Sequence, residues 1–129
     1  MNLSREGSEY LRRKMALLAL DRTMQDLASI TLGWDSYGGE MPTQVAISNA
    51  TAIASKFINN GLIPDAIAPS AEGGVAICFM RNDKYADIEC FNSGEILAVR
   101  YSSQDDPKAW VIEASASASD ATLQRNFLL

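Results

Sequence analysis

The stretch from Val75 to Tyr101 decides the fold. It reads VAICFMR, then Asn82-Asp83-Lys84, then YADIECF, then Asn92-Ser93-Gly94 and, after Glu95, ILAVRY. In the middle block Ala86, Ile88 and Cys90 alternate with Asp87 and Glu89, the two-residue period of a strand with unlike faces. The connectors are built from Asn, Asp, Ser and Gly, which take up turn conformations. Connectors this short join antiparallel neighbours. The three blocks therefore predict a β-meander. Outward from it, Trp110 to Ala114 reads as a further strand after the polar segment Ser102 to Lys108. Ala66 to Ala68 reads as a short strand before the turn at Ser70 to Gly74.

Upstream of Pro64 the period lengthens to that of a helix. From Glu9 to Ile30, Tyr10, Leu17, Leu20, Met24, Leu27 and Ala28 fall on one side at helical spacing. Leu11, Met15 and Leu18 form a second apolar stripe, roughly opposite the first by the rotation of about 100° per residue. Gly33 stops this helix, and Gly33 to Pro42 reads as an ordered loop. Thr43 is an N-cap for a second helix to about Asn59, with Asn60-Gly61 as its stop. Ala46, Ala50, Ile53 and Phe57 line its face. At the far end, Ser119 caps a short helix from Asp120 to Phe127. The expectation is one α+β domain over residues 1–129. It has two layers, with two N-terminal helices packed on an antiparallel meander of four to five strands and a short C-terminal helix.

Composition narrows the chemistry. The 129 residues carry a net charge of −5 and no histidine. Absence of histidine removes the commonest general base, the commonest zinc ligand and the usual activator of a nucleophilic Ser or Cys. The acidic balance argues against gripping phosphate backbones. Cys78 and Cys90 form no metal or redox motif and are expected to be free structural thiols, both buried in the core. A four-residue loop between their strands places them on opposite faces, whereas three or five residues bring them to one face. Arg12-Arg13-Lys14 precedes too short an apolar run for a secretion signal, and no segment is long enough to span a membrane. The expected location is the cytoplasm.

Candidate chemistry is sparse. Asp87 and Glu89 share a strand face, and Glu113 could join them to hold Mg²⁺ in a hydrolase. The simpler reading of these residues is the solvated face of a half-exposed strand. Gly73-Gly74 lacks the Gly-Lys-Ser/Thr of a phosphate-binding loop. Arg12, Arg13 and Lys14 point in different directions on a helix and read as solvated. The loop holds Trp34, Asp35 and Tyr37 among three glycines, which either anchor a partner or ligand or plug the seam between helix and sheet.

At that loop the chain resembles a group of small uncharacterised bacterial and mobile-element proteins. The residues that carry the resemblance are Gly33-Trp34-Asp35-Ser36-Tyr37-Gly38, the proline after it, the Ala-rich helix, and Pro69-Ser70-Ala71-Glu72-Gly73-Gly74 leading into a strand. Cys78-Phe79 stand where that group often has an acidic-aromatic pair. The resemblance brings no activity, only mobile-element or defence-conflict settings. The leading expectation is a non-enzymatic binding protein, an antitoxin, immunity or phage counter-defence factor acting on a protein partner, with no cofactor, metal, nucleic acid or membrane. Leu11, Met15 and Leu18 are expected to mediate self-association as a homodimer. The alternatives are a small-ligand or nucleotide sponge with a pocket at a dimer seam, and a metal-dependent hydrolase using Asp87, Glu89 and Glu113.

Overall fold

The computed structural model describes residues 4–30, 40–104 and 106–112, and it has the α+β architecture that the periodicities require. Helices α1 (Arg5–Ala28) and α2 (Gln44–Asn59) precede a five-stranded antiparallel sheet in the order β1-β2-β3-β4-β5. The strands are β1 (Ala66–Ser70), β2 (Gly74–Arg81), β3 (Lys84–Phe91), β4 (Ile96–Ser102) and β5 (Lys108–Ile112). The C-terminal helix expected over 120–127 lies outside the described residues, as do Trp34, Asp35, Tyr37 and Glu113.

Helix α2 forms the floor of the core. Thr43 accepts a hydrogen bond from the Ala46 amide at 3.2 Å and starts the helix. Its small residues Ala46, Ala50 and Ala54 are fully buried, which brings its backbone close to its neighbours. The larger Ile53, Phe57 and Ile58 fill the space between, and Phe57 meets Phe79 of β2 with ring centroids 5.1 Å apart. Facing α2 are Val75, Ile77 and Phe79 of β2, Ala86, Ile88 and Cys90 of β3, and Ile96 and Ala98 of β4.

Helix α1 starts one turn earlier than its apolar pattern, because Ser4 caps it by accepting from the Gly7 amide at 3.0 Å. It ends at Ala28 on a Ser29 cap, ahead of Gly33. Leu20, Met24 and Leu27 are buried as expected, but α1 packs mainly on α2 and meets the sheet chiefly along β1. Arg13 donates to the Asn59 carbonyl at 3.5 Å, so the helices run antiparallel and α1 reaches past the end of α2. Tyr10 lies on this overhang and is exposed, which corrects its assignment to the packed side; Ala28, at the other end, is exposed as well.

Two long-range polar fasteners complete the fold. The Asn92 side chain accepts from the Thr43 amide at 2.8 Å and donates to the Met41 carbonyl at 2.9 Å, tying the β3–β4 turn to the start of α2. Asp65, just before β1, accepts from the Met80 amide at 2.6 Å and from the Arg81 guanidinium at 2.7 Å. The second guanidinium nitrogen of Arg81 donates to the Ile63 carbonyl at 2.7 Å.

Candidate functional site: the open face of the sheet

The β2–β3 register settles where the thiols and carboxylates lie. The turn is Asn82-Asp83 alone, with Asn82 at φ 57°, a left-handed conformation that Asn tolerates. Val75 then stands opposite Cys90, and Cys78 opposite Asp87. The thiols fall on opposite faces, Cys90 among the helices and Cys78 on the other side. Cys90 is fully buried, and burial, with the nearby Glu89 charge, pushes its thiol up to about 12. Cys78 is only half-buried, which corrects the expectation that both thiols sit in the core.

On the face away from the helices, β3 presents Tyr85, Asp87 and Glu89 from the middle of the sheet. Across the ladders Asp87 sits between Cys78 and Val99, and Glu89 between Ala76 and Leu97. Tyr85 sits between Met80 and Tyr101, its ring 4.9 Å from that of Tyr101. The outer strands extend the surface with Ala66 and Ala68 of β1 and Ala109 and Val111 of β5. Among the described residues, no helix packs on this side. Met80 and Val111 each keep 60% of their surface in water.

The two carboxylates are thus set in an apolar bed instead of a solvated rim. Partial desolvation raises the acid of Asp87 above the ordinary carboxylate range, against the hydrogen bond it accepts from the Tyr85 hydroxyl at 3.1 Å. Desolvation raises Glu89 too, against a bond from the Ser70 hydroxyl at 3.2 Å. The Tyr85 hydroxyl is also 3.8 Å from the Cys78 sulfur and is pushed far up, first by burial and then by these neighbours. Burial likewise raises the Cys78 thiol, so it stays protonated at neutral pH and is a poor nucleophile.

Chemically, this arrangement can receive a cation. Carboxylates held partly out of water gain from a cation that arrives with its own apolar surface, because that cation restores lost charge stabilisation without demanding a wet site. No group of three or more Cys, Asp or Glu side chains that could hold a metal occurs among the described residues. Asp87 and Glu89 do share a face, as the two-residue period implied, whereas Glu113 lies outside the described residues.

Trp34, Asp35 and Tyr37, expected to bind a partner or ligand, also lie outside the described residues. Leu11, Met15 and Leu18, expected to mediate self-association, are exposed to 47, 60 and 60%. Nothing in the local sequence marks Leu97, Val99 and Tyr101 as neighbours of the carboxylates, since that neighbourhood exists only in the paired register. No family model matches the chain, and no curated protein or solved structure is detectably similar to it. No helix among the described residues is long and apolar enough to cross a membrane.

Proposed function

We propose that this chain is a non-enzymatic binding protein whose open sheet face docks a partner segment that is apolar and basic. The observation that carries the reading is the setting of Asp87 and Glu89, half-buried at the centre of an otherwise apolar face on which no helix packs among the described residues. The largest apolar patch on a monomer, typically a few hundred Å², is often its contact surface. Five strands of five to eight residues, about 4.8 Å apart and about 16–26 Å long, give a footprint of roughly 400 Å². That is half of a standard recognition patch of about 800 Å² per partner, which suits a regulated, reversible contact better than an obligate one.

Within binding proteins, the antitoxin, immunity or counter-defence setting rests on the resemblance at Gly33 to Gly38. The face adds the chemistry that such a partner must offer: Lys or Arg beside Leu, Val or an aromatic ring. The sponge alternative depends on Trp34 and Tyr37, which lie outside the described residues; of the three acids of the hydrolase alternative, Asp87 and Glu89 share the open face and Glu113 lies outside the described residues.

The test is a photo-crosslinking amino acid installed in the living host at Val99 on the open face and, as a control, at Ser48 on the exposed side of α2. A discrete foreign-protein adduct from Val99 that is absent from Ser48, and lost when Asp87→Lys is added, supports the reading. Equal adducts from both positions, or none from Val99, refute it.

A further inference from the structure

The exposed half of α1 has the opposite character from the sheet face. Leu11, Met15 and Leu18 form one line along the solvent side of the helix. By helical rotation of about 100° per residue, Arg22 continues that line one turn further, while Arg12 and Lys14 lie on either side of it. All three cations are exposed. Arg13, between two of them, is turned the other way and engages the end of α2. The outward stripe is therefore apolar, flanked by Arg12, Lys14 and Arg22, with the exposed Asp21 and Asp26 beside its C-terminal end.

An apolar bed holding carboxylates is the complement of this stripe, and this chain carries one. We infer that α1 of one copy docks on the open sheet face of a second copy. Leu11, Met15 and Leu18 then lie over Leu97, Val99 and Val111, and Lys14 and Arg22 reach Asp87 and Glu89.

The dimensions agree. The part of α1 from Arg5 to Arg22 is about 27 Å long at 1.5 Å per residue, matching the eight-residue central strands β2 and β3, about 26 Å long at 3.3 Å per residue. One copy cannot make the contact with itself, because α1 lies on the helix side of the sheet and the carboxylates on the other. The contact joins unlike surfaces, so it closes by reciprocal exchange of two helices or runs on as a chain of copies. This inference rests on reading the open face as a docking surface, and it names the second copy as an occupant of that face.

Sedimentation of the full chain at low salt, up to roughly 100 µM, tests it in a range where micromolar affinities are expressed. The wild type is expected to show a mass rising above one chain with concentration and falling back with added salt. Lys14→Glu with Arg22→Glu should weaken association at least tenfold, and so should Asp87→Asn with Glu89→Gln, which keeps the side-chain shapes.

The decisive arm mixes Lys14→Glu/Arg22→Glu with Asp87→Lys/Glu89→Lys. Neither should associate alone, and the mixture should, because an acidic α1 then meets a basic face. If the lysine variant fails to fold by circular dichroism, the amide variant decides in its place. A wild type of single-chain mass throughout overturns the inference. So does association that Met15→Glu with Leu18→Glu abolishes but Asp87→Asn with Glu89→Gln leaves intact, since that pattern marks stripe-to-stripe pairing. A wild-type monomer whose Val99 still crosslinks to a foreign protein overturns this inference alone and leaves the proposed function standing.

Discussion

Replacing Gly74 by alanine probes the tightest point of the sheet. Gly74 opens β2 with φ 142°, a backbone region nearly closed to side chains. A Cβ built there would lie 2.2 Å from the Cys90 carbonyl oxygen and 2.9 Å from the Phe91 Cα. Both obstacles are backbone of β3, so no side-chain rotation relieves them. Gly61 serves as the control: its φ of 89° is also positive, but nothing lies within 4 Å of its added Cβ.

Gly61→Ala should cost only the left-handed backbone penalty, about 1–2 kcal/mol. Gly74→Ala should add displacement of β3 to a penalty of about 1–3 kcal/mol, for a total of about 3–5 kcal/mol. At about 4 °C per kcal/mol for a domain of this size, the melting temperatures should fall by roughly 4–8 °C and 12–20 °C. Thermal unfolding followed by circular dichroism reads both. If the two variants lose the same stability, the close approach of β2 and β3 at Gly74 is wrong, and the register that places Cys78 opposite Asp87 falls with it.

The same geometry sets four further outcomes. Asp65→Ala should cost about 1 kcal/mol, since its bonds to Met80 and Arg81 are partly exposed and screened. The Met80 amide, chiefly, holds the Asp65 acid below the ordinary range. Its contribution is therefore present above that range and lost as pH falls through the depressed value, so a deficit relative to wild type that vanishes in acid checks the sign. Asp87 and Glu89 are raised, which reverses the sign: stability falls as pH climbs from the ordinary carboxylate range through their raised values. Asp87→Asn with Glu89→Gln should melt higher than the wild type at neutral pH and equally in acid, as a pH series of melts would read. A thiol reagent should modify Cys78 slowly in the native protein and Cys90 only on unfolding; rapid labelling of Cys90 would remove it from the core. Millimolar Mg²⁺ should leave the melting temperature unchanged, and a saturable rise lost in Asp87→Ala with Glu89→Ala would revive the hydrolase reading.

Much of the architecture could be read from the chain because its elements announce themselves locally. Ile88 and Cys90 alternate with Asp87 and Glu89, and turn residues punctuate the blocks, so the meander follows from period and connector length. Ala46, Ala50 and Phe57 mark the buried face of α2 in the same way. The start of α1 escaped because Arg5 to Ser8 carry no apolar rhythm, and only the Ser4 cap reveals it. The fasteners at Asn92 and Asp65 join residues far apart in sequence, which no local pattern encodes.

The site was half legible for a similar reason. That Asp87 and Glu89 share a face is a matter of parity within one strand. That Leu97, Val99 and Ala76 surround them depends on registers across two turns, one of which was open between odd and even lengths. An acid pair that looks solvated along its own strand becomes a pair in an apolar bed only when its neighbours are in place.

Methyl-resolved NMR of the full chain reads directly whether the open face is a recognition surface. Spectra would be compared on dilution from roughly 500 µM to 20 µM, a span that empties a micromolar contact. If the face receives α1 of a second copy, the methyls of Leu97, Val99 and Val111 shift together with those of Leu11, Met15 and Leu18, while Ile53 and Ile88 in the core stay still. Shifts confined to Leu11, Met15 and Leu18, with Leu97 and Val99 unmoved at every concentration, would contradict it.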